Sequence, residues 1–155
     1  MNKTLKIYSD GGNRNTGVQK GGHVNANDLS AWAYLIEFEG QQFSDSGFEY
    51  GQTNNAMEVT ALLEAFRRVG RVDNDVKVEL ILDSKYVLDS LEKGWAENWI
   101  LKNDTKRPNF NLWKQLVPIY VSMKSQIDFI WVKGHASTPG NLFVDELLNK
   151  EMDAH

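Results

Sequence analysis

The order of strands and helices along the chain constrains the fold more than any other feature of the sequence. Side chains of alternating character over residues 5–10 predict a first strand, and strands over 31–39 and 42–50 follow as a hairpin. A glycine-containing loop over residues 11–30 is predicted between the first strand and this hairpin. The first half of the chain therefore predicts three successive strands.

The second half alternates helices with strands. Apolar residues at helical spacing predict a helix over 54–69, and alternation predicts a fourth strand over 76–83. Ser84 is suited to cap a helix that begins near Lys85, and a further helix within 109–124 contains Pro118, which is expected to kink or divide it. A fifth strand over 127–132 and a helix over 141–152 complete the order β-β-β-α-β-α-α-β-α. This order predicts an α/β fold, a five-stranded mixed sheet flanked by α-helices.

Length and composition limit the number of domains and the classes of protein that can contain this sheet. The 155 residues, 41% of them hydrophobic, suit a single domain over 1–155. The chain has no cysteine, which excludes disulfides, thiolate nucleophiles and cysteine-ligated zinc. The beginning of the chain lacks the apolar core of a secretory signal, so a cytoplasmic protein is expected.

Charge is unevenly distributed. A net charge of −4 argues against a protein that binds nucleic acid through bulk charge. Residues 101–125, however, contain five basic residues and one acidic residue, and Trp95, Trp99 and Trp113 lie in or beside them. Such a stretch suits contacts with phosphates and bases. A solvated loop whose tryptophans pack inward explains the pattern equally well.

Four acids occupy positions where they would meet. Asp10 and Asp83 end the first and fourth predicted strands, and Glu58 and Asp145 lie at the edges of the apolar faces of two predicted helices. If the two strands are parallel neighbours, the four carboxylates converge, and their repulsion requires bound cations. Oxygen ligands suit Mg²⁺ or Mn²⁺, and a pair of such ions can hydrolyse a phosphodiester. Taken alone, each acid has an ordinary structural role in a turn, a cap or a solvated helix.

Five segments in order make the sequence resemble type 1 ribonuclease H. They are IYSDGG at 7–12, TNNAME at 53–58, DSKYV at 83–87, WVKGHA at 131–136 and NLFVDEL at 141–147. The resemblance covers nearly the whole chain. It implies the ribonuclease H fold and an endoribonuclease that hydrolyses the RNA strand of an RNA–DNA hybrid by two-metal-ion cleavage, leaving 5′-phosphate and 3′-hydroxyl ends. It also implies two Mg²⁺ ions, with Mn²⁺ as a substitute, and we expect a monomer.

The resemblance also assigns roles to individual residues. Asp10, Glu58, Asp83 and Asp145 match the metal-binding catalytic acids, and His135 matches a mobile histidine that assists proton transfer or product release. The expected substrate contacts are Asn15, Thr53, Asn54, Asn55, Trp95 and Asn141. Among these, Thr53 is expected at a DNA phosphate, Asn54 and Asn55 in the minor groove, and Trp95 against a deoxyribose. Asn13 competes with Asn15, and helix capping competes as a role for Thr53 or Asn54.

Three other functions are weaker alternatives. Another metal-dependent nuclease of the same fold acting on DNA is disfavoured by the segment around His135 and by the paired asparagines. An actin-like phosphotransferase normally needs two such domains, which 155 residues do not supply. A non-catalytic hybrid-binding module has no reason to keep four mutually repelling acids.

The sequence departs from the common bacterial pattern in two places, and the second yields a prediction. The loop after Asp10 is longer, and the basic segment 99–113 is shorter and less basic. Fewer phosphate contacts leave less affinity in reserve, so hybrid binding should be weaker or more sensitive to salt. A titration of hybrid affinity against salt concentration checks this, and tight binding above physiological salt would contradict it.

Overall fold

In the computed structural model, which describes residues 3–14, 24–133 and 138–155, the sheet has five strands. They are β1 (Lys3–Arg14), β2 (Leu29–Phe38), β3 (Gln41–Tyr50), β4 (Val76–Leu82) and β5 (Ile127–Trp131). Their spatial order is β3-β2-β1-β4-β5. The first three strands pair antiparallel, while β4 pairs parallel with both β1 and β5. The predicted mixed five-stranded sheet is confirmed.

Five helices connect and cover these strands. They are α1 (Asn54–Val69), α2 (Lys85–Glu92), α3 (Trp95–Leu101), α4 (Phe110–Met123) and α5 (Pro139–Asp153), with a short 3-10 turn over Lys124–Gln126. No helix in the described ranges is long and apolar enough to cross a membrane.

The helices divide between the two faces of the sheet. On one face, Ile7 and Leu80 belong to the main buried cluster with side chains of α1, α2 and α4. On the other face, Tyr8 and Leu35 pack with Val144 of α5. Alternate residues of β1 therefore serve opposite layers, as the period-two pattern requires.

Several element boundaries differ from the prediction. β1 continues through the glycines to Arg14, which pairs with Leu29, so the predicted loop begins later than residue 11. Backbone pairing with β2 supports this extension, for which the side-chain pattern carries no signal. Helix α3 is an additional short helix, and α4 continues through Pro118, which is exposed. The prediction that Pro118 divides this helix is wrong.

The tryptophans decide between the two interpretations of the basic stretch. Trp113 is fully buried, and its indole N–H donates to the Tyr86 hydroxyl over 2.9 Å. Trp99 packs partly buried beneath the Arg107 guanidinium. Inward packing is thus correct for Trp113 and largely for Trp99, whereas the Trp95 side chain is 46% exposed.

Ser90 offers a test of this packing. It is fully buried on α2, and its hydroxyl has no hydrogen-bond partner within the described part of the chain. Because an unsatisfied buried hydroxyl costs free energy, Ser90→Ala should raise the free energy of unfolding by about 1 kcal/mol in urea denaturation. Thr60→Val is the contrasting variant, since it removes a hydroxyl that donates to the Ala56 carbonyl, and it should not stabilise.

Candidate active site and metal centre

The site begins where the parallel pairing of β1 with β4 ends. Ser9 of β1 pairs with Leu82, the last residue of β4, so Asp10 and Asp83 follow at the same level of the sheet. The parallel pairing on which their convergence depended is therefore present. The expectation that Asp10 ends its strand is wrong, because Asp10 still pairs with Ala33 of β2 and β1 continues to Arg14. Asp10 is 6% exposed, whereas Asp83 is partly buried at the rim.

Helix α1 adds Glu58 to this pair. The backbone N–H of Gly11 donates to Asp10 Oδ1 over 2.9 Å and to Glu58 Oε1 over 2.5 Å, so one amide joins both carboxylates. A Cβ on Gly11 would lie 2.3 Å from the Met57 carbonyl carbon, so only glycine lets α1 approach β1 this closely. Oxygen atoms of Asp10, Glu58 and Asp83 all lie within 4.8 Å of one another. We call these three residues the acid cluster.

Burial sets the protonation of the acid cluster. The pKa of Asp10 is raised to about 6, chiefly by desolvation. A hydrogen bond with Glu58 lowers this pKa, and the charge of Asp83 raises it. Desolvation, followed by the charge of Asp10, raises the pKa of Glu58 well above its usual value. Without a cation, the two carboxyl groups therefore hold their protons more strongly than isolated carboxyl groups do. A divalent cation would favour the charged form of both, so the residues fit a metal site.

Asp145 reaches the cleft from the opposite face of the sheet. It lies on α5, lines a cleft with Asp10 and Asn13, and its charge raises the pKa of Asp10. Gly140 brings α5 close to β1, since a Cβ there would lie 2.3 Å from the ring of Tyr8. Among the described residues, the carboxylates whose oxygen atoms lie within 4.8 Å of one another are those of the acid cluster. Asp145 stands at the rim of the cleft.

The expected substrate contacts lie around this cleft to different extents. Thr53 caps α1, because its hydroxyl accepts from the Ala56 N–H over 3.0 Å, so the capping alternative holds for this residue. Asn54 and Asn55 are exposed and line a pocket with the acid cluster. Trp95 begins α3 as a half-exposed side chain.

The remaining expected residues fall outside the acid-cluster pocket or outside the described residues. Asn141 is 8% exposed in the first turn of α5, where its backbone N–H donates to the Thr138 hydroxyl. Asn13, the competitor of Asn15, lines the cleft, and its side-chain amide donates to the Gln52 carbonyl over 3.0 Å. Asn15 and His135 lie outside the described residues.

Two contributors to the site were not predicted. The sequence pattern predicts Gly11 only as part of a turn after Asp10. The Asp-Gly-Gly string was the available signal for a backbone amide that binds carboxylates. Lys85 was expected only as a helix start, yet it lines the same pocket as the acid cluster. Its position two residues after Asp83 was the available signal.

Comparison with known proteins assigns this arrangement to a family. The model of the family described as RNase H matches residues 2–153. The chain is 33% identical to Ribonuclease H of Caldanaerobacter subterraneus subsp. tengcongensis, over 99% of this chain and 94% of that protein. It is 37% identical to Ribonuclease H of Zymomonas mobilis, over 77% of this chain and 76% of that protein. The chain belongs to the ribonuclease H family.

Solved structures agree on the fold of this ribonuclease H family member. LC9-RNase H1, a type 1 RNase H with the type 2 active-site motif, superposes with a TM-score of 0.77 at 20% identity, over 99% of this chain and 74% of that one. LC11-RNase H1 in complex with an RNA/DNA hybrid superposes with a TM-score of 0.66 at 22% identity, over 97% of each chain. The resemblance that the five segments predicted is confirmed, as are the fold and the nuclease class of the family.

The raised carboxyl pKa values predict how stability without metal depends on pH. Below about pH 4, Asp10 and Glu58 are protonated in both the folded and the unfolded state, and they impose no penalty. As pH rises from about 4 through 6 and above, the unfolded state releases these protons first, so the free energy of unfolding falls. Thermal unfolding in EDTA across this range should show a falling midpoint.

Glu58→Gln tests whether the raised carboxyl pKa values cause this pH dependence of stability. The amide cannot ionise, so the variant should unfold at a higher temperature than wild type at pH 7 in EDTA, with a flatter pH profile. Glu92→Gln, at an exposed site at the end of α2, should leave the profile unchanged. A wild-type midpoint that rises between pH 5 and 7 would contradict the assignment.

Proposed function

We propose that this chain is an endoribonuclease that hydrolyses the RNA strand of RNA–DNA hybrids and leaves 5′-phosphate and 3′-hydroxyl ends. The observation that carries the proposal is the acid cluster, three carboxylates within 4.8 Å where the parallel pairing of β1 with β4 ends, in a chain of the ribonuclease H family. Relatives named Ribonuclease H support the activity, and the solved hybrid complex of LC11-RNase H1 supports the class of substrate.

The cations belong to the proposal as well. Asp10, Glu58 and Asp83, with Asp145 at the rim, would hold two Mg²⁺ ions, for which Mn²⁺ is the substitute. An all-oxygen set of carboxylates suits these hard cations, and their charge offsets the repulsion that raises the pKa of Asp10. When bound, such ions activate a water molecule and stabilise the leaving oxygen.

The chain's own residues then orient the substrate and move protons. The Gly11 N–H donates to both Asp10 and Glu58 and so helps to hold the two carboxylates together. We propose that the N-terminal turn of α1 meets a DNA phosphate through Thr53 and backbone N–H groups. Asn54 and Asn55, exposed beside the acid cluster, are suited to contact the minor groove.

Four assigned roles rest on the resemblance to the family. Trp95, whose ring is half-exposed, is proposed to face a deoxyribose, where a 2′-hydroxyl would be crowded. His135 is proposed to exchange a proton near neutral pH during the reaction or product release. Asn15 and Asn141 are proposed as further substrate contacts. A single catalytic domain acting as a monomer in the cytoplasm stays a prediction.

A hybrid with a labelled RNA strand tests the proposed activity. Wild type should cut the RNA internally in Mg²⁺ or Mn²⁺ and lose this activity in EDTA. Asp10→Asn should lower the cleavage rate by about 100-fold or more, because it weakens the charge that holds the cations. Asp45→Asn, which changes an exposed acid on β3, should retain the wild-type rate.

The same cleavage assay, run with other substrates, distinguishes the proposal from its alternatives. Equal cutting of duplex DNA would favour a DNA nuclease of the same fold, and hybrid binding without cleavage in either metal would favour a binding module. Activity that persists in EDTA would falsify the metal mechanism. Duplex RNA serves as a further competitor, since the 2′-hydroxyls of both strands would then be present.

A further inference from the structure

Helix α2 and the residue that caps its end carry three charged residues along one line. Lys85 and Asp89 belong to α2 and Lys93 is its C-cap, and intervals of four residues place the three on one side of the helix. Lys85 Nζ lies 3.9 Å from Asp89 Oδ1, and Lys93 Nζ lies 3.8 Å from Asp89 Oδ2. We call these three residues the α2 stripe.

Each lysine of the α2 stripe also lies over an exposed indole. Lys85 Nζ is 4.8 Å from the ring centroid of Trp131, and Lys93 Nζ is 5.1 Å from that of Trp95. The two indoles are 44% and 46% exposed and come from the end of β5 and the start of α3. Two cation–π contacts from separate elements therefore help to place the two ammonium groups.

The stripe leads away from the acid cluster. Lys85 lines the pocket of Asp10, Glu58 and Asp83, and the Trp131 indole N–H donates to the Asp83 carbonyl over 3.3 Å. Lys93 lies eight residues further along α2, which is about 12 Å at the helical rise of 1.5 Å per residue. One end of the stripe thus stands at the proposed cleavage site, and the other stands at Trp95.

The helix dipole does not account for the position of Lys85. Lys85 is the first residue of α2, where the partial positive charge of the helix N-terminus disfavours a cation, and the first turn has no acidic residue. A charge pattern that served the helix alone would place an acid at this position and a base at the other end. The cation at residue 85 therefore points to a ligand of negative charge.

We propose that the α2 stripe contacts both strands of an RNA–DNA hybrid, with Lys85 on a phosphate of the cleaved RNA strand and Lys93 on a phosphate of the DNA strand. The inference rests on the proposed function and extends it to a surface that grips the duplex. In the free protein, Asp89 holds both ammonium groups. On binding, each ammonium turns from Asp89 to a phosphate while its aliphatic stem stays against the indole.

Salt titrations of hybrid affinity test the contacts. The chain with Asp10→Asn keeps the hybrid intact, and Lys85→Met and Lys93→Met are added to it one at a time. Each should weaken binding by about three- to tenfold at low salt and reduce the slope of log K against log salt by about one. Lys3→Met is the matched control, because Lys3 is an exposed, ion-paired lysine at the opposite end of the sheet, and its slope should equal that of the parent.

Strand assignment requires hybrids in which a short run of linkages is neutralised as methylphosphonate in one strand only. Lys93→Met should reduce the loss of affinity that neutralising the run in the DNA strand causes, and Lys85→Met should do so for the RNA strand; contacts elsewhere, such as that proposed for Thr53, remain. Asp89→Asn should tighten binding, because it removes the anion that competes with phosphate. Unchanged slopes, or equal responses of both variants to both strands, would overturn the proposal.

Two further measurements distinguish the kinds of failure. Thermal unfolding of the methionine variants should stay near that of the parent, and a loss of stability that parallels the loss of binding would overturn the proposal in favour of a structural role. If wild type neither binds nor cleaves hybrids, the proposed function fails together with this inference. If wild type cleaves hybrids while the slopes are unchanged, only the inference fails.

Discussion

The repulsion among carboxylates held at the junction of β1, β4 and α1 is the constraint on which the rest of the structure depends. Asp10 and Glu58 are buried, which raises the pKa of each, and a single amide at Gly11 binds both. The parallel pairing of β1 with β4 brings Asp83 to the same point. Placing these groups together without cations costs electrostatic free energy that bound cations would offset, so the acid cluster fits a metal site.

The same constraint explains how an acidic protein can be built to hold nucleic acid. A net charge of −4 includes the four carboxylates that we propose to be offset by bound cations. Within the basic stretch, Arg107 pairs with Asp104 and Lys124 pairs with Glu97, so part of its positive charge is already neutralised. In the proposal, contact with the hybrid is therefore local and shared among the metals, the exposed lysines and the α2 stripe.

Much of the fold could be predicted because the side-chain patterns were strong. Helix α1 follows the predicted boundaries over Asn54–Val69, since its apolar positions recur at helical spacing and Thr53 caps its start. The extension of β1 to Arg14 could not be predicted, because a ladder of backbone hydrogen bonds with β2 holds its glycines in the strand. Helix α3 is short, and no side chain caps its start. Gly94, which precedes it, has a left-handed backbone conformation. The sequence therefore carries little pattern that predicts this helix.

For the site, the sequence by itself determined which acids are present, that Asp83 directly follows a strand, and which motifs place the chain in its family. Only the tertiary structure decided that the carboxylates of Asp10, Glu58 and Asp83 share a space of 4.8 Å, while Asp145 stands at the rim. It also decided that Trp113 belongs to the core and Trp95 to the surface, and that Lys85 lies over Trp131. The physical reason is that spacing along a chain sets the face on which a side chain lies, whereas the distance between two elements depends on how closely their backbones pack. Here that distance is set by glycines at residues 11 and 140, where a Cβ would collide with the neighbouring element.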